Sequence, residues 1–345
     1  MVTGATGNVG TSLLRALSEE HQVESVVGIA RRTPGLSIPK VRWARADVST
    51  SDLTGLFRGA DVVVHLAWLI QPSRNHEVLY RTNVLGSRRV FEAIESAGVG
   101  TLVYASSVGT YAPGPKDRRV DESWSTAGVP TSFYSVHKSA VESILDGFAA
   151  SNRKVRVVRL RPALTFKREA ASSIRRLFFG PLFPNPVLKA KLLPLAPAVR
   201  EMVFQCVHTD DVADAYRRAI TSHVRGAFNI AAEPAIDPRV LAERFAAPRV
   251  GLPAGLVRTL AQVTWNLRLQ PTPPGWLDMG LGAPLMDTSR AREELGWSPK
   301  KSSIDAISEL LEGLRASTGT ETPPLAPTIS GVGRWRELLT GMGSR

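Results

Sequence analysis

The stretch Thr3-Gly4-Ala5-Thr6-Gly7-Asn8-Val9-Gly10 decides how the chain is read. Met1–Thr3 is the stub of a strand, and Asn8–Ser18 is a helix with Val9, Leu13, Leu14 and Leu17 on one face. A glycine-rich turn between a strand and a helix lets the backbone approach a pyrophosphate closely. The helix N-terminus then adds N–H donors and a favourable dipole. Gly4, Gly7, Asn8, Val9 and Gly10 are therefore expected to contact a dinucleotide.

Outward from this turn, strand and helix signals alternate. Val23–Ala30, Val41–Ala46, Asp61–Ala67, Thr101–Ser106 and Val155–Leu160 read as strands. Tyr80–Ala97 and Thr131–Ala150 read as helices, the second capped by Thr131 or Ser132. Such alternation predicts parallel β-α-β units. The expected fold is α/β, a Rossmann-type doubly wound parallel sheet with a smaller C-terminal substrate-binding lobe. Residues 1–165 form the nucleotide-binding domain, with returning segments near 205–232. Residues 166–315 form mainly the cap lobe, and residues 316–345 form a flexible tail.

The second strand ends at Gly28-Ile29-Ala30-Arg31-Arg32. Dinucleotide sites often carry an acid here to hold the ribose hydroxyls. Two arginines instead suit a 2′-phosphate, which favours NADP(H) over NAD(H). Read plainly, both arginines are solvated loop charges.

On the predicted helix 131–150, Tyr134 and Lys138 are four residues apart and share a face. A nearby ammonium lowers a tyrosine pKa and would make Tyr134 usable as an acid/base. The pair alone is a common coincidence. It gains weight from the strand Val103-Tyr104-Ala105-Ser106-Ser107, which ends in hydroxyls.

Taken with His65-Leu66-Ala67, Asn83-Val84-Leu85-Gly86, Tyr111, Arg161-Pro162, Val207–Ala213, Phe228-Asn229-Ile230 and Asp287–Pro299, these residues resemble the extended short-chain dehydrogenase/reductase family, of the NAD-dependent epimerase/dehydratase type, over about residues 1–315. The resemblance implies roles. Ser107 orients the substrate oxygen, Tyr134 is the acid/base, and Lys138 tunes Tyr134 and holds the nicotinamide ribose. Asp47 and Val48 contact the adenine, Leu66 and Ala67 line the ribose path, and Asn83 braces the sheet. Without the resemblance, Asp47 is a turn residue, His65 a core histidine and Asn83 a helix-surface amide. His208 and Asp211 read as structural.

The chain departs from the family pattern in four places. Only Met1 and Val2 precede the glycine turn, so the native start is expected upstream. Trp68 stands where a small residue is usual, either as a pocket wall or as an ordinary core tryptophan. Phe204-Gln205 replace the Arg-Asp of nucleotide-sugar enzymes. Pro162–Lys167 lacks the usual Tyr-Gly-Pro ending.

The 345 residues carry a formal charge of +12. Residues 151–200 alone hold twelve Lys or Arg against one acid, Glu169. This field suits an anionic ligand or surface, or is simply a solvated basic face. No nucleic-acid recognition module accompanies it, so no nucleic acid is expected. Residues 177–197 are apolar but hold five prolines, which fits an irregular cap or a membrane-touching loop. The sole cysteine, Cys206, excludes an internal disulfide framework and a multi-cysteine metal site, and no metal is expected. With no secretory signal or spanning segment, a cytoplasmic protein is expected.

The leading expectation is an NAD(P)-dependent oxidoreductase acting on a carbonyl or secondary alcohol, with an anionic or apolar small-molecule substrate. An epimerase or dehydratase of a sugar derivative, and a non-catalytic dinucleotide-binding regulator, are the alternatives. Peripheral membrane contact is compatible with each, and the resemblance implies a homodimer.

Overall fold

In the computed structural model, residues 1–70, 74–178, 196–245, 249–270 and 272–326 are described. Seven strands form one parallel sheet: β1 (Val2–Thr3), β2 (Val26–Ala30), β3 (Val41–Arg45), β4 (Val62–His65), β5 (Thr101–Ala105), β6 (Arg156–Pro162) and β7 (Gly226–Ile230). Their order is β7-β6-β5-β4-β1-β2-β3, so the direction of winding reverses at β1, beside the glycine turn. That switch point is where open α/β sheets bind ligands.

The inner strands bury both faces, and successive side chains feed opposite layers, as the two-residue period requires. Leu102 and Tyr104 of β5 join one cluster with Phe91 and Ile94, while Val103 joins the other with Leu13 and Leu14. The helices α1 (Asn8–Glu19) and α4 (Thr209–Thr221) cover one face. The helices α2 (Gly86–Ala97) and α3 (Phe133–Ser151) cover the other.

Local chemistry explains where the elements begin. Ser132 caps α3, its side chain accepting from the Ser135 N–H. The helix expected over Tyr80–Ala97 is built differently. A short helix starts at His76, capped by Asn75, and passes through a π turn at Arg81–Leu85 before α2 begins. The wider turn places Asn83 in the interior, and π turns of this kind often mark functional sites. The second strand starts at Val26 rather than Val23.

Distant sequence motifs meet in the interior. The Tyr111 hydroxyl donates to Asn229 Oδ1 at 2.7 Å and accepts from Arg161 at 3.0 Å. The buried Trp297 donates to the Asp211 carbonyl, and the Asp211 carboxylate accepts from the backbone N–H groups of Lys300 and Lys301. His208 pairs with Glu309 on α7 (Ser303–Ala316) at 3.0 Å.

The first part of the expected tail is packed: Thr318 bonds the Arg168 carbonyl, and Thr322 and Leu325 are buried. Residues 327–345 lie outside the described residues, as do residues 179–195 and with them most of the proline-rich segment. No helix among the described residues is long and apolar enough to cross a membrane.

Candidate active site

The glycine turn is shaped by what it excludes. Gly4 has φ +70°, and a Cβ there would lie 2.6 Å from the Ala67 nitrogen. A Cβ on Gly10 would lie 2.5 Å from the Gly4 carbonyl oxygen. Both positions therefore require glycine. Gly7 begins α1 without a side-chain cap, and the first turn of the helix holds no acid. A helix end with uncapped N–H donors behind a close-packed glycine turn fits a pyrophosphate. Asn8 is turned away from the turn, toward the Thr165 carbonyl and the Thr209 hydroxyl.

The expectations from sequence missed Lys167. Its buried ammonium donates to the Asn8 carbonyl, Thr11 Oγ1 and Ser12 Oγ, and burial pulls its pKa down to about 8. It places positive charge beside the first turn of α1. A lone lysine after β6 carries no sequence signal for this.

Part of the basic run 151–200 is turned inward. Arg156 bonds the carbonyls that end α4, Arg159 and Arg161 pair with Glu142, and Lys167 lies against α1. Arg153, Lys154, Arg168 and Arg200 are exposed, so among the described residues the run is divided between the interior and the surface.

Arg31 and Arg32 lie exposed just past the end of β2. Asp47 shapes the turn after β3 by accepting from the Ser49 N–H and hydroxyl, and Val48 beside it is buried. His65 is a neutral core histidine. It bonds Thr3 and Ser87, and burial presses its pKa down to about 3. Asn83 bonds both backbone groups of Leu69, so it braces the loop carrying Leu66, Ala67 and Trp68.

The expected catalytic residues converge. Ser107, Tyr134 and Lys138 are all buried, and the Ser107 hydroxyl is a hydrogen-bond partner of Tyr134. Ser107 also accepts from the Gly109 N–H at 3.0 Å, which fixes its rotamer. Lys138 donates to the Ala105 carbonyl at 2.6 Å and stands 3.6 Å over the Trp68 ring. Because Ala67 abuts Gly4, one continuous path of contacts runs from the glycine turn through Trp68 to Lys138 and Tyr134.

The expected lowering of the Tyr134 pKa by Lys138 is not what this geometry produces. Burial pushes Tyr134 up to about 12, and the Ser107 hydrogen bond offsets only part of that. The Lys138 ammonium is 6.0 Å from the Tyr134 ring centroid and turned toward Trp68. Burial pulls Lys138 down to about 7, with Glu142 opposing the fall.

Sequence reading also missed the walls around Tyr134. The centre of the Trp276 ring lies 5.0 Å from that of Tyr134, and the centre of the Trp68 ring 6.0 Å. Leu177 and Met279 complete the cluster. Trp276 and Met279 lie on α6 (Gly275–Gly282), far along the chain, with no periodic pattern to announce them.

Glu142 was missed too, although a signal existed, since it continues the four-residue spacing of Tyr134 and Lys138. Burial raises its pKa. Hydrogen bonds from Arg161 and the charges of Arg161 and Arg159 outweigh that and hold it at about 2.

The chain is 27% identical over 323 residues to the uncharacterized protein Rv2047c of Mycobacterium tuberculosis, covering 92% of this chain and 30% of that protein. The chain thus spans under a third of that relative's length. It is 37% identical over 106 residues to the L-arabinose 1-dehydrogenase (NAD(P)(+)) of Haloferax volcanii, covering 31% of this chain and 39% of that enzyme. Its fold is similar to that of MoeE5 in complex with UDP-glucuronic acid and NAD, with a TM-score of 0.71 at 22% identity, over 92% of this chain and 98% of MoeE5. Residues 1–231 match the NAD dependent epimerase/dehydratase family, and the chain belongs to that family of enzymes.

Proposed function

We propose that the chain is a nicotinamide-dependent oxidoreductase that reduces a carbonyl group on an apolar, flat substrate. One observation carries the reading: the Ser107–Tyr134–Lys138 group meets the glycine turn through Trp68 and is walled by Trp68, Trp276, Leu177 and Met279. The dinucleotide, when bound, supplies the hydride. Gly4, Gly7 and Gly10 with the α1 N-terminus would hold its pyrophosphate, and Asp47 and Val48 would face its adenine.

Ser107 would position the substrate oxygen and Tyr134 would protonate it. A tyrosine held near 12 is fully protonated at neutral pH, which suits proton donation in the reductive direction. Lys138 would support the nicotinamide ribose. Arg31 and Arg32 favour NADP(H) in this proposal, and residues 166–315 supply most of the substrate cap.

Gln205 supports the departure from sugar chemistry. Its amide is neutral, and both of its polar atoms are engaged with the backbone of Met286 and with Glu233.

The test is Tyr134→Phe. It should abolish NADPH-dependent reduction of aromatic and long-chain ketones while leaving NADPH affinity within about twofold. Retained turnover refutes the role. The second reading, an epimerase or dehydratase, rests on the family itself. Tightly retained NAD(H) in the purified protein, with no net turnover on ketones, would favour it.

A further inference from the structure

Helix α6 lays Trp276 and Met279 against Tyr134, yet its own sequence, Gly275-Trp276-Leu277-Asp278-Met279-Gly280-Leu281-Gly282, is a poor helix. Each of its three glycines weakens it relative to alanine. At eight residues it is also too short to stand alone. Its position therefore depends on what grips it.

The N-terminal grip is steric. A Cβ on Gly275 would lie 2.1 Å from the Thr131 carbonyl oxygen, so the helix starts directly against the backbone that leads into α3. Asp278 pairs with Arg258 of α5 (Ala254–Asn266), a partly exposed pair that water screens. The C-terminal grip comes from the stretch that follows Ser107. Gly114 donates its N–H to the Gly282 carbonyl at 2.9 Å. Two residues on, the Lys116 ammonium donates to the carbonyls of Ala283 and of Gly280, the latter at 3.1 Å, and to the Val203 carbonyl at 2.8 Å. Its three protons thus meet three carbonyls. Two of these belong to the end of α6, where carbonyls lack partners within the helix. The same stretch begins beside Tyr134: a Cβ on Gly109 would lie 2.8 Å from the Tyr134 ring and 2.9 Å from the Met279 sulfur.

An ammonium is an expensive way to fill this space. No carboxylate is among its hydrogen-bond partners, and burial pulls its pKa down to about 8. A lysine whose pKa falls on folding weakens the fold at neutral pH, because its charged form is less favoured folded than unfolded. A methionine would fill the space without that penalty. What the ammonium adds is a join between three pieces of chain: the stretch running on from Ser107, the end of α6, and Val203.

We infer that Lys116 is a positioning residue that latches α6 across Tyr134, and so holds the Trp276 and Met279 walls against which an apolar substrate binds. The use of the walls rests on the substrate reading above; the latch rests on the hydrogen bonds of Lys116. None of those bonds goes to Ser107 or Tyr134, so Lys116 acts through α6.

Hydrogen exchange of the full chain reads the latch without any turnover. In Lys116→Met the amides of residues 276–283 should exchange at least about tenfold faster, while those of α1 and α2 stay unchanged and Tm holds within about 3 °C. Lys116→Arg keeps a charged donor and should restore much of the protection. In steady state, Lys116→Met should raise KM for an aromatic ketone about tenfold and lower kcat by less than about threefold, because wall contacts bind ground state and transition state alike. KM for butanone, too small to span the walls, should move by less than about twofold. Unchanged exchange at 276–283, or protection lost throughout the chain with a falling Tm, would overturn the latch. Faster exchange confined to 276–283 with KM rising equally for both ketones would overturn its link to the substrate walls. A native chain that reduces no ketone would sink the substrate reading instead, and the exchange result would still decide the latch.

Discussion

The Lys138 ammonium lies 3.6 Å above the ring of Trp68, while the centre of the Tyr134 ring is 6.0 Å away. Burial is what brings Lys138 from 10.5 to about 7. The ring's attraction for the cation, worth about 0.5–2 kcal/mol, works the other way and is the smaller effect. In the proposed reaction the ammonium is needed, so kcat/KM should fall above about pH 7. Trp68→Ala lets water reach the ammonium and should move that falling limb up by about one pH unit. A profile of kcat/KM from pH 5.5 to 9 checks this. Superimposable limbs would mean that another group titrates.

Glycine is demanded twice in the first turn. Gly10→Ala would force a Cβ against the Gly4 carbonyl, and Gly4→Ala adds a clash with Ala67 to an unfavourable positive φ. Each should cost about 1–3 kcal/mol of stability. Each should also weaken NADPH binding far more than Tyr134→Phe does. Thermal unfolding and fluorescence titration on the same samples separate the two effects. Normal affinity in Gly10→Ala would remove the turn from the cofactor site.

Glu142 ties the end of β5 to β6, accepting from Ser106, Arg159 and Arg161. Its carboxyl titrates at about 2 in the folded protein against an ordinary 4.5. A lowered carboxylate pKa stabilises the fold above the ordinary value, and that stability drains away as pH falls from about 4.5 toward 2. The contribution is on the order of 3 kcal/mol. Glu142→Gln leaves the buried Arg161 guanidinium without its counter-charge and should destabilise by about 3–5 kcal/mol at neutral pH. The variant should also lose this part of the acid dependence. Denaturant unfolding of both proteins at pH 3, 4.5 and 7 would reveal it as a gap that narrows toward acid. A gap that stays constant would place the effect in packing.

The sheet was legible because its signals are local. The run Val62-Val63-Val64 and the alternating faces of Thr101–Ala105 need only neighbouring residues to be recognised. The Tyr134/Lys138 face was legible for the same reason, being one helix turn. What could not be read was assembled from a distance. Trp276 reaches Tyr134 across 142 positions of sequence, and Lys167 reaches Asn8 by a side chain that propensity does not register. The Lys138 direction was misjudged because spacing fixes which face a side chain leaves, while its rotamer answers to Trp68 and the Ala105 carbonyl. The basic segment was legible only as a total of charge. Sequence counts charges, but only the fold shows that Arg156, Arg159 and Arg161 point inward.

The cofactor preference turns on two side chains. Arg31 and Arg32 follow Ala30 at the end of β2, next to the glycine turn, where an acid would repel a 2′-phosphate and hold the ribose hydroxyls instead. A hydrogen bond to a charged group is worth about 1.5–3 kcal/mol. Removing the arginine that meets the phosphate should therefore weaken NADPH by roughly 10–100-fold and leave NADH nearly unchanged. Arg31→Ala, Arg32→Ala and the double variant, each titrated with both cofactors, identify which arginine carries the contact. Salt adds a second check, because screening should erode NADPH affinity in the native chain more steeply than in the responsible variant. If the double variant binds NADPH and NADH as the native chain does, neither arginine meets the 2′-phosphate and the preference for NADP(H) falls with them.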